Sequence, residues 1–228
     1  MGVSGKLNGS VGATNKGGAY LRNKGVTSNP QTIAQQAVRS RFGALSSQFR
    51  ALTILQIVAW NTAAAQFPII DRLGDQRFLT GLGLFVQLNT NLLTVGAPTI
   101  QDPPLKQSMP SFFMASFFPT VGAGALAVAQ IDLQLDQPVG SGEYALVVKA
   151  APYHSPSVTN VKNQLRLVTS EELLATGTVA VDISTATEAK FGSFIAGQVL
   201  SVEAYFVSLI SGEASAPFKL SNVITLVP

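Results

Sequence analysis

The spacing of the apolar residues changes at a proline-rich segment near the middle of the chain. Before residues 98–110, large apolar residues recur every three or four positions, which is the period of an amphipathic helix. After this segment they alternate with polar residues, as in strands that have one buried face. The segment itself favours a stiff linker, because it contains Pro98, Pro103, Pro104 and Pro110. The sequence therefore predicts an α+β fold, with a helical region followed by an all-β domain.

Three helices are predicted before the linker. The first starts with Asn29 as the cap and Pro30 at the first helical position. Its apolar stripe consists of Ala34, Val38, Phe42, Leu45, Phe49 and Leu52. Thr53 and Gln56 form a capping-box pattern at the start of the second helix, and Thr80 is the predicted cap of the third.

The last part of the chain is predicted to form an immunoglobulin-like antiparallel β-sandwich. Ile131, Leu133 and Leu135 alternate with polar residues, and a second alternating run covers residues 144–150. Further strands are predicted at Gln164–Thr169, Thr178–Ser184, Val199–Ser208 and Phe218–Val227. Six or seven short strands over this length are typical of a sandwich.

Residues 1–28 are predicted to be an extended basic arm. Seven glycines disfavour a helix here, and Asn15 to Gly18 form a possible hairpin turn. The arm contains four basic residues and no acidic one, and too few large apolar groups to fold without a neighbour. The predicted organisation is an arm at 1–28, a helical region at 29–97, a linker at 98–110 and a β-sandwich at 111–228.

The two halves of the chain carry charges of opposite sign. Residues 1–100 contain nine Lys and Arg against two acids, a net charge of +7, whereas residues 101–228 have a net charge of −4. Only 12% of all residues are charged, against about 25% in an average domain, so much of the surface is expected to be covered by a partner. The basic part of one copy can meet the acidic part of the next, or it can face nucleic acid. We favour the first alternative, because Tyr20 is the only aromatic residue in the arm.

Few residues are suited to catalysis or to binding a metal or cofactor. The chain has no cysteine, and a catalytic triad would have to use its single histidine, His154, with Ser155 or Ser157 close by in sequence. We interpret this stretch as a loop, and Asp132 and Asp136 as a solvated strand face. No glycine-rich phosphate-binding motif is present. The sequence predicts no enzyme, no cofactor and no catalytic or metal-binding residues.

Residues 107–131 contain no charge and are long enough to cross a membrane. Pro110, Pro119, Gly122 and Gly124 interrupt this stretch, so we expect a buried strand or a subunit interface and no membrane association.

An ordered set of short motifs in the first half of the chain is similar to a known group of proteins. The set consists of Ser4-Gly5-Lys6-Leu7-Asn8-Gly9-Ser10-Val11-Gly12, Lys16-Gly17-Gly18-Ala19-Tyr20-Leu21-Arg22, Asn29-Pro30-Gln31-Thr32-Ile33-Ala34-Gln35-Gln36, Arg39-Ser40-Arg41-Phe42, Leu52-Thr53 and Ala59-Trp60. The succession resembles small virion-associated proteins of tailed phages that infect Bacteroidetes, the crAss-like phages among them. The resemblance covers residues 1–105 and implies a component of the virion, assembled in the host cytoplasm.

The expected function is that of a non-enzymatic structural subunit of a phage virion, in the tail or the head–tail ring. Copies of the chain and other virion proteins are the expected partners. The candidate interface residues are Lys16, Tyr20, Arg22, Arg39, Arg41 and Trp60. Trp60 is proposed as a packing anchor, although a single tryptophan on a helical stripe belongs to a core more often. The alternatives are a capsid decoration protein and a host-surface or carbohydrate-binding module, for which Tyr153 is the candidate aromatic contact.

Overall fold

A computed structural model describes most of the chain, in two compact units. The described residues are 5–7, 9–15, 18–23, 25, 29, 31–70, 73–122, 127–135, 142–172 and 178–227. Lys16, Pro30 and Asp136, which the sequence analysis singles out, lie outside them. The compact units are residues 1–40 and residues 41–228. The predicted α+β fold is confirmed.

The first unit contains a small antiparallel sheet of three strands, β1 (Gly5–Leu7), β2 (Ser10–Asn15) and β3 (Gly18–Asn23), in the order β1-β2-β3. Asn15 pairs with Gly18, so β2 and β3 form a hairpin at the place where the sequence predicts a turn. All six residues of β3 are exposed to solvent. Strand β3 therefore pairs with β2 but buries little of its own surface.

Helix α1 (Ile33–Ala51) begins four residues after the predicted cap Asn29. The reason is local: Gln31 has a φ of 48°, in the left-handed region, so no helix can run through it. The backbone N–H of Gln35 donates to the hydroxyl of Thr32 at 3.3 Å, which gives Thr32 the capping role predicted for Asn29.

Helices α2 (Ile54–Ala64) and α3 (Gly81–Thr94) have the predicted caps. Thr53 and Gln56 exchange both hydrogen bonds of a capping box, and the Thr80 hydroxyl accepts a bond from the N–H of Gly83 at 3.1 Å. The buried helical core consists of Leu45, Phe49, Trp60, Ala64, Phe67, Leu84, Phe85 and Leu88. The rings of Trp60 and Phe85 meet edge to face, with their centroids 5.2 Å apart.

The proline-rich segment after α3 is fixed to the helices through its main chain. The Asn89 amide nitrogen donates to the carbonyl of Ile100 at 3.2 Å, and its amide oxygen accepts from the Ile100 N–H at 2.7 Å. The indole N–H of Trp60 donates to the carbonyl of Gln101 at 2.7 Å. This segment contains no helix or strand from residue 97 to residue 111 and belongs to the second compact unit.

Two antiparallel sheets form the β-sandwich. Their strands are β6 (Phe112–Phe117), β9 (Gln130–Leu135), β10 (Tyr144–Ala150), β11 (Arg166–Glu172), β12 (Thr178–Asp182), β13 (Val199–Ser208) and β14 (Phe218–Val223). The strand orders are β12-β9-β6 and β11-β10-β13-β14. Ile131 and Leu133 of the first sheet share one buried core with Leu146, Val148 and Phe206 of the second. The first, second and fifth strands of the sandwich thus face the other four, an immunoglobulin-like topology.

Short strands complete the sheet structure of the described residues. A hairpin joins β4 (Pro68–Ile70) to β5 (Gln76–Phe78), and β7 (Thr120–Gly122) lies between β8 (Ala127–Val128) and β15 (Thr225–Val227). The predicted strand Phe218–Val227 is therefore interrupted. Its break is at Ile224, whose side chain is buried and whose N–H donates to the carbonyl of Gln198 at 2.7 Å.

The all-β prediction for residues 111–228 is wrong where a short 3₁₀ helix (Lys162–Gln164) precedes β11 and where helix α4 (Ser184–Phe191) follows β12. The predicted strand Thr178–Ser184 ends at Asp182, because the Asp182 carboxylate accepts the N–H of Ser184 at 2.8 Å and turns the chain. Alanine, glutamate and lysine residues then favour the helix.

Helix α3 packs on the loop that follows β13. The Asn91 side chain donates to the carbonyl of Gly212 at 2.8 Å, and the Gly212 N–H donates to the carbonyl of Ser208 at 2.9 Å. Gly212 has a φ of 72°, and a Cβ atom there would lie 2.5 Å from the carbonyl oxygen of Leu88. Only glycine fits this contact between the helices and the sandwich.

Candidate functional site

The single histidine lies against the four-stranded sheet and contacts a serine that the sequence analysis did not single out. His154 pairs with Val199 in an isolated bridge, and its Nε2 lies 2.9 Å from the hydroxyl of Ser201 on β13. Its Nδ1 lies 3.1 Å from the carbonyl oxygen of Ser155, which can only accept. Nδ1 therefore carries the proton of the neutral ring, and Nε2 accepts from Ser201.

This histidine–serine pair differs from the triad that the sequence analysis weighed. Ser155 and Ser157 hydrogen-bond to each other at 3.1 Å, and it is Ser201 that reaches the imidazole. Ser201 also lies 2.7 Å from the hydroxyl of Ser221 on β14. A main-chain carbonyl occupies the place of the triad's carboxylate, so the arrangement ties a loop to the sheet through hydrogen bonds.

A buried carboxylate lies next to this network on the same sheet. Glu203 is 9% exposed and pairs with Lys219 at 3.1 Å and with Lys149 at 3.9 Å. Lys149 also lies over the ring of Tyr205, 4.7 Å from its centroid. The two cations compensate the Glu203 charge. Glu203 and Lys219 also line a cleft of about 330 Å³, whose other lining residues are polar (Thr159, Asn160, Lys162, Ser201, Ser221) or apolar (Val161, Leu165, Val202, Leu220).

The aromatic residue proposed for a host-surface module is part of the packing around α4. The Tyr153 hydroxyl donates to the carbonyl of Gly192 at 2.8 Å, and its ring contacts those of Phe191 and Phe194. Burial, and then the charge of Glu188, raise the pKa of Tyr153 to about 12. The Tyr153 side chain is therefore half-buried and held against α4, although its backbone lies in a loop.

The described carboxylates of the sandwich do not gather into a metal site. Hydrogen bonds from Ser116 and Gln130 lower the pKa of Asp132. Within the described residues, no three His, Asp or Glu side chains lie close enough together to hold an ion. Among the helices described in the structure, none is long and apolar enough to span a membrane.

The candidate interface residues of the first unit that the structure describes, Tyr20, Arg22 and Arg39, are exposed. Tyr20 and Arg22 lie two positions apart on β3, opposite Ala13 and Val11, so they share one face of the sheet. Arg39 is exposed on α1 and donates to the side chain of Asn29 at 2.9 Å.

The second unit contains the other two candidates, which differ in exposure. Arg41 is exposed and donates to the hydroxyl of Thr94 at 3.3 Å. Trp60 is fully buried in the helical core, so its proposed role as an interface anchor has to be corrected. Its indole ring fills the space beside Phe85, where it is inaccessible to a partner.

The structure adds an apolar surface that the sequence analysis missed. Ile54, Leu55 and Val58 on α2 are 80%, 83% and 56% exposed, and Phe42 on α1 is 56% exposed. The sequence did contain a signal, because α2 has no charged residue on any face. We call Ile54, Leu55 and Val58 the α2 patch.

These features define an α+β protein with an immunoglobulin-like sandwich and an exposed apolar helix. No protein-family model matches the chain, and no curated protein matches it. A catalytically inactive OgpA from Akkermansia muciniphila, solved with an O-glycopeptide substrate, is 12% identical over 66% of this chain, with a TM-score of 0.34. A GH3 β-glucosidase from Bifidobacterium adolescentis is 11% identical over 54%, with a TM-score of 0.24. The chain spans 38% and 18% of these two proteins, and the likenesses are too distant to bear on function.

Proposed function

We propose that this chain is a non-enzymatic structural subunit of a bacteriophage virion, in the tail or the head–tail ring. It assembles with copies of itself and with other virion proteins through its arm and helices. The motif succession in residues 1–105 supports the placement in a phage particle. The observation that carries the assembly role is the α2 patch.

The α2 patch lies on a helix that is apolar on both faces. One face of α2 buries Trp60 and Ala64, while the patch exposes three large aliphatic side chains on the other. A helix that is hydrophobic all round is normally buried on all sides. Contiguous apolar surface of this kind marks an interaction site. Burial of the patch against a second subunit removes it from water without the cost of desolvating a charge.

The chain's charge pattern favours a second copy as the partner. The net charges of +7 for residues 1–100 and −4 for the remainder attract in a head-to-tail arrangement. Such a heterologous contact closes into a ring or propagates into a tube, as tail and connector structures require.

The α2 patch can be tested by a double substitution, Leu55→Gln with Val58→Gln. Glutamine keeps the helix propensity and adds no charge, so only the apolar contact is lost. Self-association, measured by sedimentation velocity and native mass spectrometry, should weaken about tenfold or more. The melting temperature of the dilute monomer should stay nearly unchanged, because both side chains are exposed.

The matched control for this test is Ala189→Gln, an exposed position on α4. This variant should associate as the wild type does. A wild-type chain that stays monomeric at high concentration, and is missing from particles, contradicts the proposed function.

A second test separates protein contacts from nucleic-acid contacts of Arg39 and Arg41. Both are exposed, and the hydrogen bonds they make go to neutral side chains, so they can pair with carboxylates of a neighbour. Replacing both by glutamate should weaken self-association about tenfold while the monomer's melting temperature stays nearly constant. Gel-shift titration of the wild type with duplex DNA in physiological salt tests the alternative, that the two arginines bind nucleic acid. Tight binding that the double variant loses while it still assembles would assign these arginines to nucleic acid.

A further inference from the structure

Among its described side chains, the sheet of the first unit shows no core of its own. Every residue of β3 is exposed, and the one fully buried position described in β2 is Gly12, which has no side chain. Three strands without a hydrophobic face or a packed helix are not stable in water. The outer edge of β3 also pairs with no other strand in the described part of the chain. Both properties indicate that the sheet is completed by another chain.

The charge of this sheet restricts what can complete it. Residues 1–28 contain Lys6, Lys16, Arg22 and Lys24 and no acidic residue. Arg22 lies on β3, and the described part of the chain places no carboxylate within ion-pair distance of it. A strand edge that accepts β3 therefore has to supply negative charge.

One edge of the β-sandwich supplies it. Strand β11 is the last strand of the four-stranded sheet, and among the described residues it pairs only with β10. Its final residues, Glu171 and Glu172, are exposed and lie opposite Leu146 and Ala145, which are apolar. An unpaired strand edge of this kind is a template for another strand.

Three other described carboxylates of the sandwich are already engaged. Glu203 pairs with two lysines, while Asp132 and Asp182 accept hydrogen bonds from serine hydroxyls. Glu171 accepts one bond from the hydroxyl of Thr169 at 3.3 Å, and no cation is paired with Glu171 or Glu172 in the described residues. The uncompensated negative charge of this sheet is therefore concentrated at the end of β11.

The rest of this edge is partly occupied. Lys190 of α4 donates to the main-chain carbonyl of Leu167 near the start of β11. An incoming strand is therefore directed to the acidic end. The two glutamates also repel acidic strands, so the edge is selective for a basic strand.

We propose that β3 of one copy adds to the Glu171–Glu172 end of β11 in a neighbouring copy, with Arg22 paired to these carboxylates. The proposal rests on self-assembly as the proposed function and names the two surfaces that meet. Main-chain hydrogen bonds supply the binding, as in other strand additions, and the charges select the partner. Because the two surfaces differ, each copy both gives and receives a strand, so the contact is heterologous.

A charge swap tests this pairing in the full chain. Arg22→Glu by itself, and Glu171→Lys with Glu172→Lys, should each weaken self-association about tenfold in sedimentation velocity at low salt. A mixture of the two variants should recover association, because each supplies the surface that the other lacks. Lys162→Glu, an equal charge change at an exposed site, is the control and should stay within about twofold of the wild type.

Hydrogen exchange supplies a readout of the backbone pairing. Residues 18–23 and 166–172 should gain protection on assembly, and the reversed variants should lose it. Unchanged association in both reversed variants, or association that a mixture does not restore, overturns the inference and leaves the α2 patch test standing. Protection of residues 18–23 and 166–172 in a dilute monomer that equals their protection in the assembly also overturns it, because these edges are then paired within one chain.

Discussion

Replacing Trp60 by alanine should lower the free energy of unfolding by about 3–5 kcal/mol. The indole is fully buried, its ring packs edge to face on Phe85, and its N–H holds the carbonyl of Gln101. The substitution leaves a cavity in the helical core and a main-chain acceptor without its donor. Urea unfolding at low protein concentration measures the effect without a contribution from association.

Trp60→Phe separates the contribution of the ring's packing from that of the hydrogen bond made by its N–H. Phenylalanine keeps an aromatic ring beside Phe85 but has no N–H, so the loss should be smaller than that of the alanine variant. If Trp60 were an interface anchor, alanine would weaken self-association and leave the monomer's stability unchanged. That result would contradict the burial described here.

Gly212→Ala should destabilise the second unit by about 3–4 kcal/mol. Alanine is strained at a φ of 72°, and its Cβ would be 2.5 Å from the Leu88 carbonyl oxygen and 2.9 Å from the carbonyl carbon. Both atoms are backbone atoms of α3, so relief requires moving the helix away from the loop after β13. The same urea titration measures the loss.

Gly197→Ala is the matched control for this prediction. Gly197 has a φ of 82°, and a Cβ atom there meets nothing within 4 Å. The substitution should lower the free energy of unfolding by about 1–2 kcal/mol, which is the cost of the left-handed backbone conformation for alanine. Equal losses at the two glycines would show that α3 does not press on Gly212.

Local signals predicted the elements of this fold well. The capping residues Thr53 and Thr80 mark the true starts of α2 and α3. A capping side chain accepts the N–H of a residue only three positions later, so the signal lies within a short stretch of sequence. The strand Val199–Ser208 has the predicted bounds, and the alternation at Ile131, Leu133 and Leu135 places these side chains in the core. Asn29 failed as a cap because the backbone at Gln31, which the pattern does not report, excludes a helix there.

The exposure of the apolar stripes could not be predicted. Leu45 and Phe49 of the α1 stripe are buried, whereas Val38 and Phe42 of the same stripe are exposed. Helical spacing identifies an apolar face but does not say whether the chain itself or another molecule covers it. The α2 patch, which carries the proposed function, was missed for this reason.

The burial of polar residues by distant parts of the chain could not be predicted from the sequence either. Ser201 meets His154 across 47 positions, and Asn89 meets Ile100 across 11. Serine and asparagine are common on surfaces, so nothing in their neighbours along the chain indicates burial. Sheet pairing and helix packing bring these groups together.

Ile100 and Gln101 are bound through their main-chain atoms, and this determines which sequence changes the segment tolerates. Asn89 and Trp60 recognise a peptide unit, which every residue carries, so the identity of Gln101, an exposed residue, is nearly unconstrained. The register is constrained instead: one inserted or deleted residue moves the wrong carbonyl under the indole, and proline at position 100 removes the N–H that Asn89 accepts. Homologous chains should therefore vary in composition along this segment while keeping its length.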